Sequence, residues 1–194
     1  EVPLEQGKDT GEVYWDVYIN AIIQKALADK RTHDGDYLWS GGCLLYFPAG
    51  KYHLAGDIYI YDTDPASEHY GQCWSNMNVR GEDSATKILG EAGARAIWMT
   101  GYCGQDRLES AGGAWMRDFW SQDLDICFGV YDEELVGMHG SVPTNTRQSH
   151  GIWSFYIDKL YVHTGAIKIK RLSSDINISH CTFDYGDCSI EILD

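Results

Sequence analysis

The residues best suited to proton transfer lie close together near the C-terminus. They are His180, Asp184, Asp187 and Glu191. Histidine titrates near neutral pH, and a pair of carboxyl groups can divide the roles of proton donor and base. Cleavage of a glycosidic bond requires such a pair, with the second carboxylate acting as base, nucleophile or charge stabiliser. We therefore take these four residues as the candidate catalytic residues.

Glu191 stands between two isoleucines in a short segment typical of a β-strand. Because successive side chains of a strand point to opposite faces, burial of Ile190 and Ile192 would direct Glu191 outward. A repeat described below predicts Lys168 at the same outward position one strand away, where its ammonium would favour an ionised Glu191. An ion pair on a solvated surface is the alternative interpretation.

The other three candidates also have structural alternatives. Asp184 and Asp187 flank Gly186, and loops on a rigid scaffold often carry catalytic groups, but aspartate is equally an ordinary turn residue. His180 can transfer protons, although a single histidine on a strand is often only a hydrogen-bonded structural residue.

The charge of the chain limits its partners. The 194 residues carry a net charge of -14, which repels nucleic acid, anionic lipid and polyuronic acids. A polyanionic substrate would therefore need a local basic or calcium-bearing site. Aromatic residues make up 13% of the chain, and exposed rings could stack on sugars. No apolar run is long enough to cross a bilayer. We expect neither a nucleic acid nor a membrane as partner.

The sequence predicts no metal or cofactor. Six cysteines form no C-x-x-C pair, which argues against a zinc cluster and leaves the disulfide state open. Two acidic stretches, 123–125 and 132–134, lack the glycine spacing of a calcium-binding loop, so solvated charge is the better interpretation.

The hydrophobic pattern predicts one domain over residues 1–194. Apolar residues recur at helical spacing over residues 13–28, which predicts an amphipathic helix. Short β-type segments separated by turns follow from Cys43 onward. Residues 129–150 lack periodicity, which predicts a loop excursion that could form one wall of a substrate groove.

A repeat near the C-terminus indicates how the strands are arranged. Residues 156–165 align with residues 177–186, placing Ile157 over Ile178 and Val162 over Phe183, and Ile167 then falls over Ile190. A third copy begins near Met116. A period of roughly 20 residues that carries short strands is typical of one coil of a parallel β-helix. We predict an all-β fold, a parallel β-helix.

The N-terminal half resembles the right-handed parallel β-helix enzymes of the pectate-lyase-like superfamily. The similarity lies in the helix, in the segment GGCLLYFPAGKYHL at residues 41–54, and in NVRGE at residues 78–82. The resemblance implies that residues 13–28 form a helix that caps a right-handed solenoid. Because no polar cap follows the last strand, we expect further sequence beyond Asp194 or a partner chain on that coil.

Two branches of this superfamily are similar to the remaining segments. Residues 20–54 and 117–192 resemble the inulin fructotransferases and related difructose-anhydride enzymes. That resemblance implies a fructan substrate, a homotrimer and a catalytic Glu191, and it places His180 where the family has an aspartate. Residues 178–183 with Gly186, Asp187 and Cys188 resemble a polygalacturonase turn, but one aspartate of its acidic pair is missing.

The sequence therefore predicts an extracellular or secreted enzyme that cleaves glycosidic bonds of a carbohydrate by carboxylate acid–base chemistry. The alternatives are a polygalacturonase-like or pectate-lyase-like enzyme acting on a uronic-acid polymer, and a non-catalytic sugar-binding or phage tail-fibre β-helix.

Overall fold

The computed structural model describes residues 14–34, 43–64, 66, 77–91, 95–99, 111–112, 115–128, 152–170, 174–185 and 189–193. The predicted excursion at residues 129–150 lies outside these ranges. The elements in chain order are α1 (Asp16–Asp34), β1 (Cys43–Tyr46), β2 (Gly50–Leu54), β3 (Ile58–Tyr59), β4 (Met77–Gly90), β5 (Arg95–Met99), β6 (Ala111–Gly112), β7 (Trp115–Gln122), β8 (Leu124–Phe128), β9 (Ile152–Val162), β10 (Ala166–Lys170), β11 (Ser174–Ser179), β12 (Thr182–Phe183) and β13 (Ser189–Leu193).

These strands form two parallel sheets. The first sheet has the order β1-β4-β7-β9-β11, with β2 paired to β4 and with β6 and β12 paired to β9. The second has the order β13-β10-β8-β5-β3. The chain enters the first sheet, crosses to the second, and returns to the first beside its previous strand. This part of the chain is therefore all-β with one helix, as the sequence predicts.

The predicted repeat is confirmed by the strand register. Ile157 pairs with Ile178, Val162 with Phe183, and Ile167 with Ile190. The third copy is also confirmed, because Met116 pairs with Ile157. Residues of the same character therefore stack in rows that run across the strands.

Rows of apolar side chains make the core. One row across the second sheet is at most 1% exposed: Ile58, Ile97, Ile126 and Ile167. β-Branched side chains suit the crowded inner face of a parallel sheet. Ile190 and Ile192 extend these rows, but they are 48% and 81% exposed, whereas the sequence analysis expected them to be buried. The reason is that β13 is the edge strand of its sheet, so fewer neighbours cover it.

The helix α1 packs its apolar face against the first pass of strands. It spans Asp16–Asp34, so it begins three residues later and ends six residues later than the predicted 13–28. Its buried side chains recur at helical spacing: Ile19, Ile23 and Leu27. Among the described residues, no helix combines the length and the apolar character that crossing a membrane requires.

Polar residues of α1 satisfy the backbone of the segment around β3. Asn20 Nδ2 donates to the carbonyl of Asp57 at 2.8 Å, and Asn20 Oδ1 accepts from the N–H of Tyr59 at 2.9 Å. Gln24, one helical turn later, makes the same two kinds of bond further along the segment, at 2.8 and 3.1 Å. Each side-chain amide thus replaces one backbone amide of a neighbouring strand.

Replacing Asn20 with leucine is expected to lower the free energy of unfolding by about 2 kcal/mol. The change leaves one backbone donor and one acceptor without a partner in a partly buried place, and each such group costs roughly 1–3 kcal/mol. Urea denaturation checks this. The control is Val17→Ala at a 67% exposed position of the same helix. Equal losses in the two variants would contradict the role given to Asn20.

Candidate functional site

Four passes through the first sheet each bend at a residue with left-handed backbone, and we call these bends the turns. Asp83, Asp118, Lys159 and His180 have φ values of 54°, 61°, 54° and 50°. Aspartate and histidine are enriched in this conformation, whereas lysine is a true outlier. The last three directly follow residues that pair in register, so they stack on one another. The turns therefore bring charged side chains from different passes together.

An open groove of about 630 Å³ lies along these turns. We call it the ionic groove. Its lining residues come from β1, β4, β7 and β9: Leu44, Tyr46, Arg80, Gly81, Glu82, Asp83, Asp118 and Lys159. Three carboxylates and two cationic groups therefore face one concave surface.

Asp118 is held between two guanidinium groups. Its Oδ2 lies 3.4 Å from Arg80 Nε and 3.3 Å from Arg117 Nε, and its side chain is 15% exposed. Arg117 Nε makes no aligned hydrogen bond, so its contact with Asp118 is mainly electrostatic. Arg117 also lies over the ring of Trp115, 4.6 Å from the centroid. A carboxylate at this position can stabilise positive charge in a bound ligand.

Glu82 is positioned by both its side chain and its backbone. The Tyr46 hydroxyl donates to Glu82 Oε1. The Glu82 N–H donates to Thr86 Oγ1 at 2.7 Å, and the Thr86 hydroxyl donates to the carbonyl of Phe47 at 2.9 Å. Thr86 is fully buried, so these hydrogen bonds hold the backbone at Glu82 away from solvent. Glu82 is thereby fixed as a hydrogen-bond acceptor at the edge of the groove.

Asp83 differs from the other two carboxylates. Within the part of the chain that the structure describes, its side chain makes no hydrogen bond and no ion pair. The backbone beside it approaches β7 closely, because a Cβ on Gly81 would lie 2.4 Å from the carbonyl oxygen of Asp118. Asp83 is therefore an exposed carboxyl group of the groove.

Replacing Lys159 with asparagine is expected to stabilise the protein. A left-handed conformation costs most L-residues roughly 1–2 kcal/mol, whereas asparagine adopts it readily. We expect the free energy of unfolding to rise by about 1 kcal/mol. Lys159→Ala is the control, since it removes the same charge but lacks the short polar side chain that lets asparagine adopt a left-handed backbone. An Asn variant no more stable than the Ala variant would show that Lys159 is not strained. A strained lysine in a groove is consistent with a functional role.

His180 lies beside a second acidic group, Asp158. His180 Nδ1 is 2.7 Å from Asp158 Oδ1, and the Ser179 hydroxyl donates to the same oxygen at 2.9 Å. These hydrogen bonds, that of His180 first, hold the pKa of Asp158 below its ordinary value. Since both groups contact one carboxylate oxygen, they do not form a relay in which His180 activates the Ser179 hydroxyl.

Removing the His180 imidazole is expected to raise the pKa of Asp158 towards its ordinary value. His180→Gly keeps the left-handed backbone without strain and removes the first hydrogen bond. A carboxyl group with a lowered folded-state pKa stabilises above its unfolded-state pKa and loses that contribution as pH falls through the folded-state value. The variant should therefore lose less stability on acidification. Carboxyl NMR titration measures the shift, and an unchanged Asp158 titration would contradict the assignment.

Asp184 lies in a cluster of rings on the first sheet. It accepts a hydrogen bond from the Tyr161 hydroxyl, and its Oδ2 lies 3.6 Å from His163 Nδ1. Its side chain is 53% exposed. Asp187, the neighbouring candidate, lies outside the described residues.

Glu191 lies on the second sheet, in register with Lys168 as the repeat predicts. Its Oε1 accepts a hydrogen bond from Ser189 at 2.8 Å. Lys168 Nζ instead lies 2.6 Å from Asp125 Oδ2, and this contact raises the pKa of Lys168. The predicted residues are therefore divided, with His180 and Asp184 on strands or turns of the first sheet and Glu191 on the second.

Sequence reasoning did not select Glu82, Asp83, Asp118 or Lys159 as functional residues. The segment that contains Glu82 was used only as a marker of the fold, and the segment that contains Asp118 only for the repeat and the fructotransferase resemblance. A scan against protein-family models and searches of curated proteins and of solved structures find no match.

The described residues contain no group of three or more His, Cys, Asp or Glu side chains arranged to hold a metal ion. The ionic groove itself presents carboxylates, cations and a phenol.

Proposed function

We propose that this chain is part of a right-handed parallel β-helix that binds a carbohydrate and cleaves its glycosidic bonds in the ionic groove. The stacking of successive passes in two parallel sheets supports the solenoid, because every strand pairs with the equivalent strand of the next pass. We assign the cap of this solenoid to α1, because the side-chain amide of Asn20 forms hydrogen bonds with the backbone around β3.

The observation that carries this proposal is that three carboxylates line one open groove. Glycosidic cleavage requires one carboxyl group that gives a proton to the leaving oxygen and a second that acts as base, nucleophile or charge stabiliser. We assign proton transfer to Asp83, which has no competing partner among the described residues. Asp118 is assigned to charge stabilisation, since it lies between two arginines and is partly shielded from solvent. Glu82 is the second carboxylate on the Asp83 side of the groove.

A neutral polysaccharide such as a fructan is the substrate class we favour. The net charge of -14 disfavours the approach of a polyanion, whereas a neutral chain is unaffected by it. Cations within the groove can donate hydrogen bonds to sugar hydroxyls as well as to carboxylates.

A uronic-acid polymer is the second candidate, and the cations of the groove favour it. Arg80 is 47% exposed, and Lys159 is exposed at the same surface. These two side chains supply the local positive charge that an acidic polymer would need to overcome the general repulsion.

A substrate screen tests the proposal. The protein is incubated with inulin, levan, pectate and alginate, and both new reducing ends and the absorbance of unsaturated products are followed. We expect cleavage of a neutral polymer. Unsaturated products from pectate or alginate would favour the second candidate. Cleavage of none of the four would overturn the enzymatic proposal and favour a non-catalytic binding module.

A further inference from the structure

A second surface of the first sheet carries stacked rings away from the ionic groove. Lys87, Trp120 and Tyr161 pair in register on β4, β7 and β9. The Trp120 and Tyr161 rings are nearly parallel, with an interplanar angle of 17° and centroids 6.1 Å apart. Lys87 Nζ lies 5.1 Å from the centre of the Trp120 ring.

Two further rings extend this row. The His163 ring lies 5.4 Å from Trp120 at an angle of 23°, and 5.3 Å from Tyr185 at 45°. We call Trp120, Tyr161, His163 and Tyr185 the ring ladder. Asp184 lies at its edge, in contact with Tyr161 and His163.

The ring ladder faces outward. The neighbouring strand residues Ile88, Ser121 and Val162 are fully buried, so the alternate side chains point away from the core. Tyr185 is 72% exposed, so its ring adds to this outward surface. The ladder is therefore a solvent-facing surface rather than part of the core.

The chemistry of this surface suits a hydroxyl-rich, uncharged chain. The exposed Tyr185 ring can offer a face to the C–H groups of a sugar ring, whereas Trp120 and Tyr161 stack on each other and offer their apolar ring edges. Asp184 and His163 lie beside the rings and can exchange hydrogen bonds with hydroxyl groups. Parallel strands lie about 4.8 Å apart, so the ladder repeats along a line across the strands, as a polymer does.

We propose that the ring ladder is a glycan-binding site that holds a neutral oligosaccharide running across β7 and β9. It shares a ligand class with the proposed function, but it does not depend on cleavage. The carboxylate at its edge and the negative charge of the chain select against acidic sugars.

Calorimetric titration tests this proposal. The probes are an inulin oligosaccharide fraction, cellohexaose and mannohexaose, with hexagalacturonate as the acidic comparison. We expect at least one neutral probe to bind, and Trp120→Ala and Tyr185→Ser to weaken its binding by about tenfold or more. Tyr185→Ser keeps the test valid if Trp120→Ala fails to fold, because Tyr185 contributes little to the core.

The control is Tyr156→Ala, which removes a 48% exposed ring from β9 outside the ladder and should leave affinity unchanged. The proposal is overturned if no neutral probe binds, if hexagalacturonate binds more tightly, or if Tyr185→Ser binds as well as wild type. Asp83→Asn separates the two proposals, because it should abolish cleavage and leave binding to the ladder unchanged. If the ladder variants lose binding but wild type cleaves no polymer, only the enzymatic function is refuted. If wild type cleaves a polymer but the ladder variants bind as well as wild type, only the ladder is refuted.

Discussion

Replacing Gly165 with alanine is expected to destabilise the protein by roughly 3 kcal/mol or more. Gly165 has a φ of 114°, and a Cβ at this position would lie 2.2 Å from the carbonyl oxygen of Leu124. The obstacle is backbone at the start of β8, so it cannot rotate away as a side chain could. Because Gly165 joins β9 to β10, the clash would disturb the step from the first sheet to the second.

Thermal and urea denaturation measure this loss, and Gly56→Ala is the matched control. A Cβ on Gly56 would meet the flexible end of a side chain, Asp16 Oδ2, at 2.8 Å. A carboxylate can move, although its hydrogen bond to the Ala55 N–H would weaken. We expect a clearly smaller loss for Gly56→Ala. Equal unfolding midpoints for the two variants would contradict the clash between a Cβ at position 165 and the Leu124 carbonyl oxygen.

Replacing Asp83 with asparagine is expected to lower turnover by about 10²–10⁴-fold while leaving the fold intact. The amide cannot exchange a proton at useful pH, so the proposed proton transfer would fail. Asparagine accepts a φ of 54° as readily as aspartate, so no backbone strain is introduced. Initial rates on the polymer identified by the screen, together with a melting curve, provide the measurement.

Asp123→Asn is the control for that experiment. Asp123 also has left-handed backbone, with a φ of 51°, but it lies in another turn and accepts a hydrogen bond from Thr164 at 2.7 Å. An asparagine oxygen can accept the same bond, so stability and turnover should both be close to those of wild type. Equal turnover in Asp83→Asn and Asp123→Asn would remove Asp83 from the mechanism.

The strand register could be predicted from the sequence because positions facing the core recur along the chain as apolar residues. Ile157 is buried and Ile178 is partly buried in the same apolar row, so their similarity in character reflects a shared environment. The exposure of Ile192 is not recorded in that pattern, since an isoleucine at a sheet edge looks the same in sequence as one inside. Position within the sheet depends on which strands lie on either side.

The ionic groove was harder to predict for a different reason. Glu82 and Asp118 lie on separate strands, and irregular register between β4 and β7 hides their proximity. Residues with left-handed backbone at the turns change the direction in which the side chains point. Lysine rarely adopts this backbone, so Lys159 gives no sequence signal for it. The repeat does place Glu191 in the row of Lys168, but it cannot show that Lys168 forms its ion pair with Asp125.

A crystal structure of the Asp83→Asn variant with a bound oligosaccharide of the polymer identified by the screen tests the central claim most directly. The impaired variant should retain an uncleaved chain. We expect a glycosidic oxygen in the ionic groove within about 2.6–3.2 Å of the residue 83 amide, with Asp118 on the other side of the bond. An oligosaccharide bound across the second sheet beside Glu191, with the ionic groove empty, would contradict the account.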